Sequence, residues 1–162
     1  MGDKIKLLIV DDEVQFLESI AKRLEMRDFD VTKASSGDQA IRAAQEGKFD
    51  LALLDLKMPG MDGKEVLAIL KNEHKFLEVI ILTGHGSVDS AVECTKLGAF
   101  GYLPKPYELE KLIETLRDAY TKRLNKKFEA DEKRMQKIAE LATGASALSI
   151  LRELKKIDDD IK

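Results

Sequence analysis

Leu51-Ala52-Leu53-Leu54-Asp55-Leu56-Lys57-Met58-Pro59-Gly60-Met61-Asp62-Gly63 decides the fold. A short apolar run, Leu51 to Leu54, ends abruptly in a carboxylate and gives way to a stretch punctuated by Pro59, Gly60 and Gly63. The run reads as a strand buried on both faces and the punctuation as a turn. Such strands belong to parallel sheets covered by helices, where ligands bind beyond the carboxyl ends of the strands. Asp55 is therefore expected at the mouth of a cleft, where a carboxylate can bind a cation or act as a nucleophile. An Asp after a strand can also be a plain turn former or helix cap. The remaining strand ends decide between these roles.

Outward from this stretch, strands and helices alternate. Ile5 to Val10 is a buried strand closed by Asp11-Asp12-Glu13. Val14, Leu17, Ile20, Ala21 and Leu24 recur at helical spacing. Phe29 to Thr32 is a second strand, Ser35-Ser36-Gly37-Asp38 a turn and cap, and Ala40 to Ala44 a helix stopped at Gly47. Beyond Gly63 a helix carries Val66, Leu67, Ile69 and Leu70 and ends near His74. Val79 to Leu82 is a fourth strand, closed by Thr83-Gly84. Val88, Ala91, Val92, Thr95 and Leu97 lie on the next helix, stopped by Gly98. Phe100 to Leu103 is a fifth strand, followed by Pro104-Lys105-Pro106 and a helix carrying Leu109, Leu112, Ile113, Leu116 and Ala119. Such alternation predicts an α/β fold, a doubly wound five-stranded parallel sheet with right-handed crossovers. A switch point at the first strand gives the order 2-1-3-4-5 and brings Asp11, Asp12 and Asp55 to one cleft.

Three carboxylates that close repel one another unless a cation neutralises part of the charge. A divalent ion with oxygen ligands solves this, and Mg²⁺ suits it because that ion takes one or two carboxylates and keeps water or phosphate oxygens elsewhere. The fourth and fifth strands deliver the Thr83 hydroxyl and the Lys105 ammonium to the same edge. A cation, an ammonium and a hydroxyl around one Asp form a phosphoryl site. Alone, Lys105 is an ordinary loop lysine and Thr83 an ordinary strand-end hydroxyl. The signal is that four strand ends each supply the required chemical type.

At these residues the chain resembles the receiver domains of bacterial two-component response regulators, with a chemotaxis-regulator-like, flavodoxin-like fold and a nitrogen-regulation-type sequence. The resemblance rests on Asp11-Asp12, on the context Leu53 to Gly63, on Thr83-Gly84 and on Gly98 to Pro106, and covers about residues 4–120. It implies phosphorylation of Asp55 by a histidine kinase in the cytoplasm. It implies Mg²⁺ held by Asp12, Asp55 and the Lys57 backbone carbonyl, with Asp11 acting through water. It also implies Lys105 as the phosphate-binding lysine, Thr83 and Tyr102 as a switch pair, and a cis Lys105–Pro106 peptide. Lys57 and His85, two residues after the acceptor and the threonine, are expected to modulate the phosphate lifetime. The chain would then be a signalling phospho-acceptor, not an enzyme with a separate substrate.

Other features narrow the alternatives. No apolar run is long enough to cross a membrane. The N-terminus leads directly into the first strand, without a signal-peptide cleavage pattern. The single cysteine, Cys94, excludes an internal disulfide and reads as half-buried. Two scattered histidines give no zinc spacing, and there is no Gly-rich nucleotide loop.

The net charge of −3 hides an asymmetry: residues 122–162 carry 11 Lys/Arg against 8 Asp/Glu, which leaves −6 on residues 1–121. Residues 1–121 form the receiver in this reading, and 122–162 a helical extension. In that extension the fifth helix continues with sparse apolar positions at Leu124, Phe128, Met135 and Ile138, Thr143-Gly144 stops a helix, and Ser146 caps a new one. Ala147, Ile150, Leu154, Ile157 and Ile161 form an apolar stripe that Leu148 and Leu151 widen. Three fates are open for it: docking on the receiver, pairing in a homodimer, or binding a partner protein. A homodimer through the fourth-helix, fifth-strand and fifth-helix face is a further possibility. Direct nucleic-acid binding is not expected, because Asp158-Asp159-Asp160 would repel phosphates. The competing expectation is the receiver part of a DNA-binding transcriptional regulator.

Overall fold

The computed structural model describes residues 3–129 and 146–160. Strands β1 (Ile5–Val10), β2 (Phe29–Ala34), β3 (Leu51–Leu54), β4 (Glu78–Thr83) and β5 (Gly101–Pro104) form one parallel sheet in the order β2-β1-β3-β4-β5. Helices α1 (Val14–Glu25), α2 (Gly37–Glu46), α3 (Gly63–Glu73), α4 (Val88–Lys96) and α5 (Leu109–Lys127) alternate with them, and α6 (Ala147–Asp160) follows. The doubly wound, flavodoxin-like fold and the extra C-terminal helix are as expected from the sequence.

The period of two along the strands assigns each side chain to a face. Leu7, Ile9, Leu51, Leu53, Ile80 and Leu82 pack with α1 and α5. Leu8, Val10, Ala52, Leu54, Val79 and Ile81 pack with α2, α3 and Cys94 of α4. Register brings Val10 opposite Leu54, and Leu54 opposite Ile81. The ladder runs on past the strand ends: the Asp55 amide donates to the Val10 carbonyl at 3.0 Å, and the Lys105 amide to the Thr83 carbonyl at 3.0 Å. The residues beyond four strands are thereby fixed side by side.

Three local expectations are corrected. Val14 is 60% exposed, because it opens α1 ahead of the buried stripe Leu17, Ile20, Ala21 and Leu24. Val88 is 81% exposed and Val92 and Leu97 are also exposed, so α4 turns much of its apolar side outward and buries Cys94, which is fully enclosed rather than half-buried. The contact pattern explains this: α4 seats on the sheet through one small residue.

Residues 130–145 and Ile161 lie outside the described residues, and with them Met135, Ile138 and the helix stop at Thr143-Gly144. Ser146 accepts a hydrogen bond from the Ser149 amide at 3.1 Å, the cap expected at the start of α6. Ile150, Leu151, Leu154 and Ile157 are buried in the same cluster as Tyr120, Leu124 and Phe128 of the α5 segment and Ile5 and Phe29 of the sheet. Each such side chain contributes about 1.5–3 kcal/mol when fully covered.

Charges flank this apolar seam. Asp158, 2% exposed, accepts from the Tyr120 hydroxyl at 2.8 Å and Arg123 Nε at 3.1 Å, and pairs with Lys127. Lys155 Nζ, equally enclosed, reaches Asp50 Oδ2 at 2.8 Å. Asp50 also accepts from the Lys6 amide at 2.9 Å and lies 3.2 Å from Arg123. Burial drives Asp158 toward protonation, but Lys127, Arg123 and Tyr120 outweigh it and hold its pKa below the ordinary value. Lys155 is likewise opposed by burial, and Asp50 carries its pKa above the ordinary value.

Candidate phosphoryl-accepting site

The acids after β1 and the acid after β3 meet. Carboxylate oxygens of Asp11, Asp12 and Asp55 all lie within 4.8 Å of one another. Asp11 and Asp55 are buried and Asp12 is half-buried. Asp11 is locked twice: its Oδ1 accepts from the Glu13 amide at 2.9 Å, its Oδ2 from Lys105 Nζ at 2.6 Å. Burial lifts the Asp11 pKa, and the Lys105 and Glu13 hydrogen bonds only partly oppose it.

Asp55 differs. Neither of its oxygens accepts a hydrogen bond among the described residues, although the residue is almost wholly enclosed. Lys105 Nζ stands 3.6 Å from Asp55 Oδ2, an ion pair without hydrogen-bond contact. Buried carboxylate oxygens without partners are costly unless something supplies positive charge or donors. Three convergent carboxylates with two orphaned oxygens fit a hard divalent cation, whose ligands are oxygens. This acidic triad is able to hold a metal.

Lys105 gathers the negative charge. Besides Asp11 and Asp55 it lies 3.6 Å from Glu13, and it sits over the Phe16 ring at 4.1 Å from the centroid. Burial pushes its pKa down, but Asp11, Asp55 and Glu13 outweigh this and the net shift is upward, so the ammonium stays charged. The Lys105–Pro106 peptide is cis. Thr83 is buried beside the cleft, and its Oγ1 accepts from the His85 amide at 3.1 Å. Lys57 and His85 are both exposed on the loops that rim the cleft.

Tyr102 is half-buried on β5. Its hydroxyl is covered without meeting hydrogen-bond geometry among the described residues, and burial lifts its pKa while the nearby Ser87 backbone pulls the other way. The ring lies over Gly86: a Cβ there would fall 2.5 Å from the Tyr102 hydroxyl. Gly63, at the start of α3, is confined by backbone instead. A Cβ would fall 2.5 Å from Leu56 Cα and 2.6 Å from the Asp55 carbonyl oxygen. Close helix–strand approach thus fixes the loop that carries Asp55.

Sequence reasoning placed Asp11, Asp12, Asp55, Thr83 and Lys105 together. It missed Phe16, the Gly86–Tyr102 contact and the Glu13 carboxylate beside Lys105. The first had a faint signal, an aromatic residue outside the buried stripe of α1. The other two had none, since they join residues distant in sequence.

The fold and this acidic pocket define a phospho-accepting signalling module of two-component systems. The chain belongs to the response regulator receiver domain family, whose model matches residues 7–117. It is 38% identical over 118 residues to the transcriptional regulatory protein ZraR of Klebsiella oxytoca, covering 73% of this chain and 27% of that protein. The chain spans about a quarter of the length of the curated relatives it matches. Among solved structures it is similar to a CheY-like receiver from Methanospirillum hungatei, with a TM-score of 0.73, 28% identity, and coverage of 76% of this chain and 98% of that one. It is also similar to the beryllofluoride-activated NtrC4 receiver domain dimer, with a TM-score of 0.69, 33% identity, and coverage of 73% and 98%. Among the described residues no helix is long and apolar enough to cross a membrane.

Proposed function

We propose that Asp55 accepts a phosphoryl group from the phosphohistidine of a sensor histidine kinase, in the cytoplasm. The observation that carries this is the pair of buried Asp55 oxygens that accept no hydrogen bond among the described residues, set in the acidic cluster and faced by Lys105. The N–P bond of the donor breaks with its electron pair returning to the ring nitrogen, the Asp55 oxygen–phosphorus bond forms, and a phosphohistidine ring protonated on its other nitrogen leaves as neutral imidazole. Lys105 is charged and close enough to turn from Asp11 and Asp55 toward the phosphoryl oxygens. The Thr83 hydroxyl oxygen accepts from the His85 amide at 3.1 Å, which leaves its own proton to donate to them.

Mg²⁺ is the metal that best suits the triad, held by Asp12, Asp55 and the Lys57 backbone carbonyl, with Asp11 acting through water. When bound it neutralises charge developing on the transferred group. Once Thr83 is drawn toward the acceptor, Tyr102 gains room to repack, and the α4–β5–α5 surface changes. The exposed Val88, Val92 and Leu97 make that surface fit for a downstream protein or a second copy of this chain. Lys57 and His85 then set how readily water attacks the acyl phosphate.

In this reading residues 1–121 are the receiver and 122–162 its helical extension, and of the three fates for the extension we favour docking on the receiver. The burial of Ile150, Leu151, Leu154 and Ile157 supports it. A second reading, the receiver part of a longer DNA-binding transcriptional regulator, is favoured by one observation: the curated relatives named as transcriptional regulatory proteins are about four times as long as the matched region. Salt-sensitive retention on duplex DNA by this chain would support it directly.

The test is intact mass after incubation with acetyl phosphate and Mg²⁺, on wild type and Asp55→Asn. A phosphoryl adduct on wild type alone is expected. An equal adduct on the variant would place the acceptor elsewhere.

A further inference from the structure

We infer that Phe16 is a positioning residue for phosphoryl transfer: its ring face holds the Lys105 ammonium beside Asp55 without consuming a hydrogen-bond donor. The inference rests on the reading of Asp55 as acceptor.

An ammonium has three donors. In this cleft one is committed to Asp11 Oδ2 at 2.6 Å. The contacts to Asp55 and Glu13, both 3.6 Å, lie beyond hydrogen-bond reach, so they attract charge but fix no donor. What remains to fix Nζ on its other side is the Phe16 ring, 4.1 Å away at the centroid. An aromatic face attracts a cation through its quadrupole, and more strongly when both are shielded from water, as the largely enclosed Lys105 side chain is. A polar side chain in place of Phe16 would accept a hydrogen bond and compete with the incoming phosphoryl oxygens. The ring provides the attraction and leaves the donors available.

The ring is itself oriented. Tyr107, which follows Pro106, meets Phe16 edge to face, with centroids 6.0 Å apart and planes at 89°. Phe16 comes from α1 and Tyr107 from the segment after β5, the same segment that carries Lys105. The pair therefore joins the lysine loop to the helix that follows the acidic pair. Phe16 is half-buried at the margin of the core, packed against it outside the fully buried stripe of α1, and its ring face is the part turned to Lys105.

The experiment uses the full chain with Phe16→Leu and Phe16→Tyr, and two readouts. The first is the upfield ring-current displacement of the Lys105 ε-methylene protons by NMR. It is expected in wild type and Phe16→Tyr and lost in Phe16→Leu. The second is the initial rate of adduct formation with acetyl phosphate and Mg²⁺. It is expected to fall about three- to thirtyfold in Phe16→Leu and to recover in Phe16→Tyr, with matching thermal melts. Absence of the displacement in wild type overturns the inference, whether or not the variants fold. So does a Phe16→Leu rate within about twofold of wild type, or a loss that Phe16→Tyr fails to restore. Lys105→Ala and Asp55→Asn separate the two levels. If Asp55→Asn still takes up phosphate, the acceptor reading fails. If that variant and Lys105→Ala are impaired while Phe16→Leu is not, only the role of Phe16 fails.

Discussion

Replacing Asp158 by Ala tests the docking of α6 at its most demanding point. The carboxylate is enclosed and serves three donors: the Tyr120 hydroxyl, Arg123 and Lys127. Removing one partner of a buried charge pair costs about 3–5 kcal/mol, because the other partner stays desolvated. Here Arg123 keeps the Phe76 carbonyl at 2.8 Å and Asp50 at 3.2 Å, and Lys127 is partly exposed, so the expectation falls at the lower end, about 3 kcal/mol. For a chain of this size that is a fall of about 6–12 °C in melting temperature. Urea titration followed by circular dichroism measures it, with Tyr120→Phe and the double variant completing a cycle. Tyr120→Phe alone is expected to cost about 1 kcal/mol, and the double variant less than the sum, since both remove one hydrogen bond.

The pH dependence supplies an independent check. The folded pKa of Asp158 lies below the unfolded value. Its contribution is therefore complete above the unfolded value, about 3.9, and lost as pH falls through the folded one. The gap between wild type and Asp158→Ala should hold at neutral pH and close in acid. A neutral-pH gap under about 0.5 kcal/mol, the range of an ordinary surface substitution, would refute the docking described here.

Three further outcomes follow from the site. Gly63→Ala should destabilise by about 1–3 kcal/mol and slow phosphoryl uptake, because the methyl group meets backbone that cannot swing aside; thermal melts and adduct rates measure both. Asp55→Asn should raise stability in metal-free buffer by about 1 kcal/mol, since it removes one of three crowded charges. Millimolar Mg²⁺ should then raise the melting temperature of wild type alone, as seen by differential scanning fluorimetry. Gly86→Ala should cost under about 1 kcal/mol, because the obstructing atoms belong to the outer end of the half-buried Tyr102 side chain and not to backbone. It should instead shift the Tyr102 ring resonances in NMR, and unchanged resonances would contradict the contact.

Legibility in the sequence followed the range of the interactions. Runs such as Leu51–Leu54 and Val79–Leu82 carry their own period, so strand identity, sheet order and the convergence of Asp11, Asp12 and Asp55 could be read from local pattern and topology. What could not be read depends on pairs. Nothing in Asp158-Asp159-Asp160 distinguishes the first acid, which is enclosed by Tyr120 and Arg123, from its exposed neighbour. Glu78, at the head of an apolar strand, gave no hint that it would be wholly buried against Lys126 at 2.6 Å. The side of α4 was misjudged because helical spacing identifies an apolar face without saying that anything covers it.

The charged seam under α6 has a consequence for how the helix can sit. An apolar stripe alone could slide by one turn, about 5.4 Å, and still find cover. Lys155 and Asp158 oppose this, because a one-turn slide would take Lys155 from Asp50, leaving it only Asp159 of its own helix, and would take Asp158 from Tyr120, Arg123 and Lys127. Buried ionic groups of this kind are expected to add little net affinity and more discrimination, favouring the seating of α6 in which both charges are paired. Its amides should therefore exchange with solvent deuterium as a block, with one shared opening free energy, in place of a gradual fraying from the end.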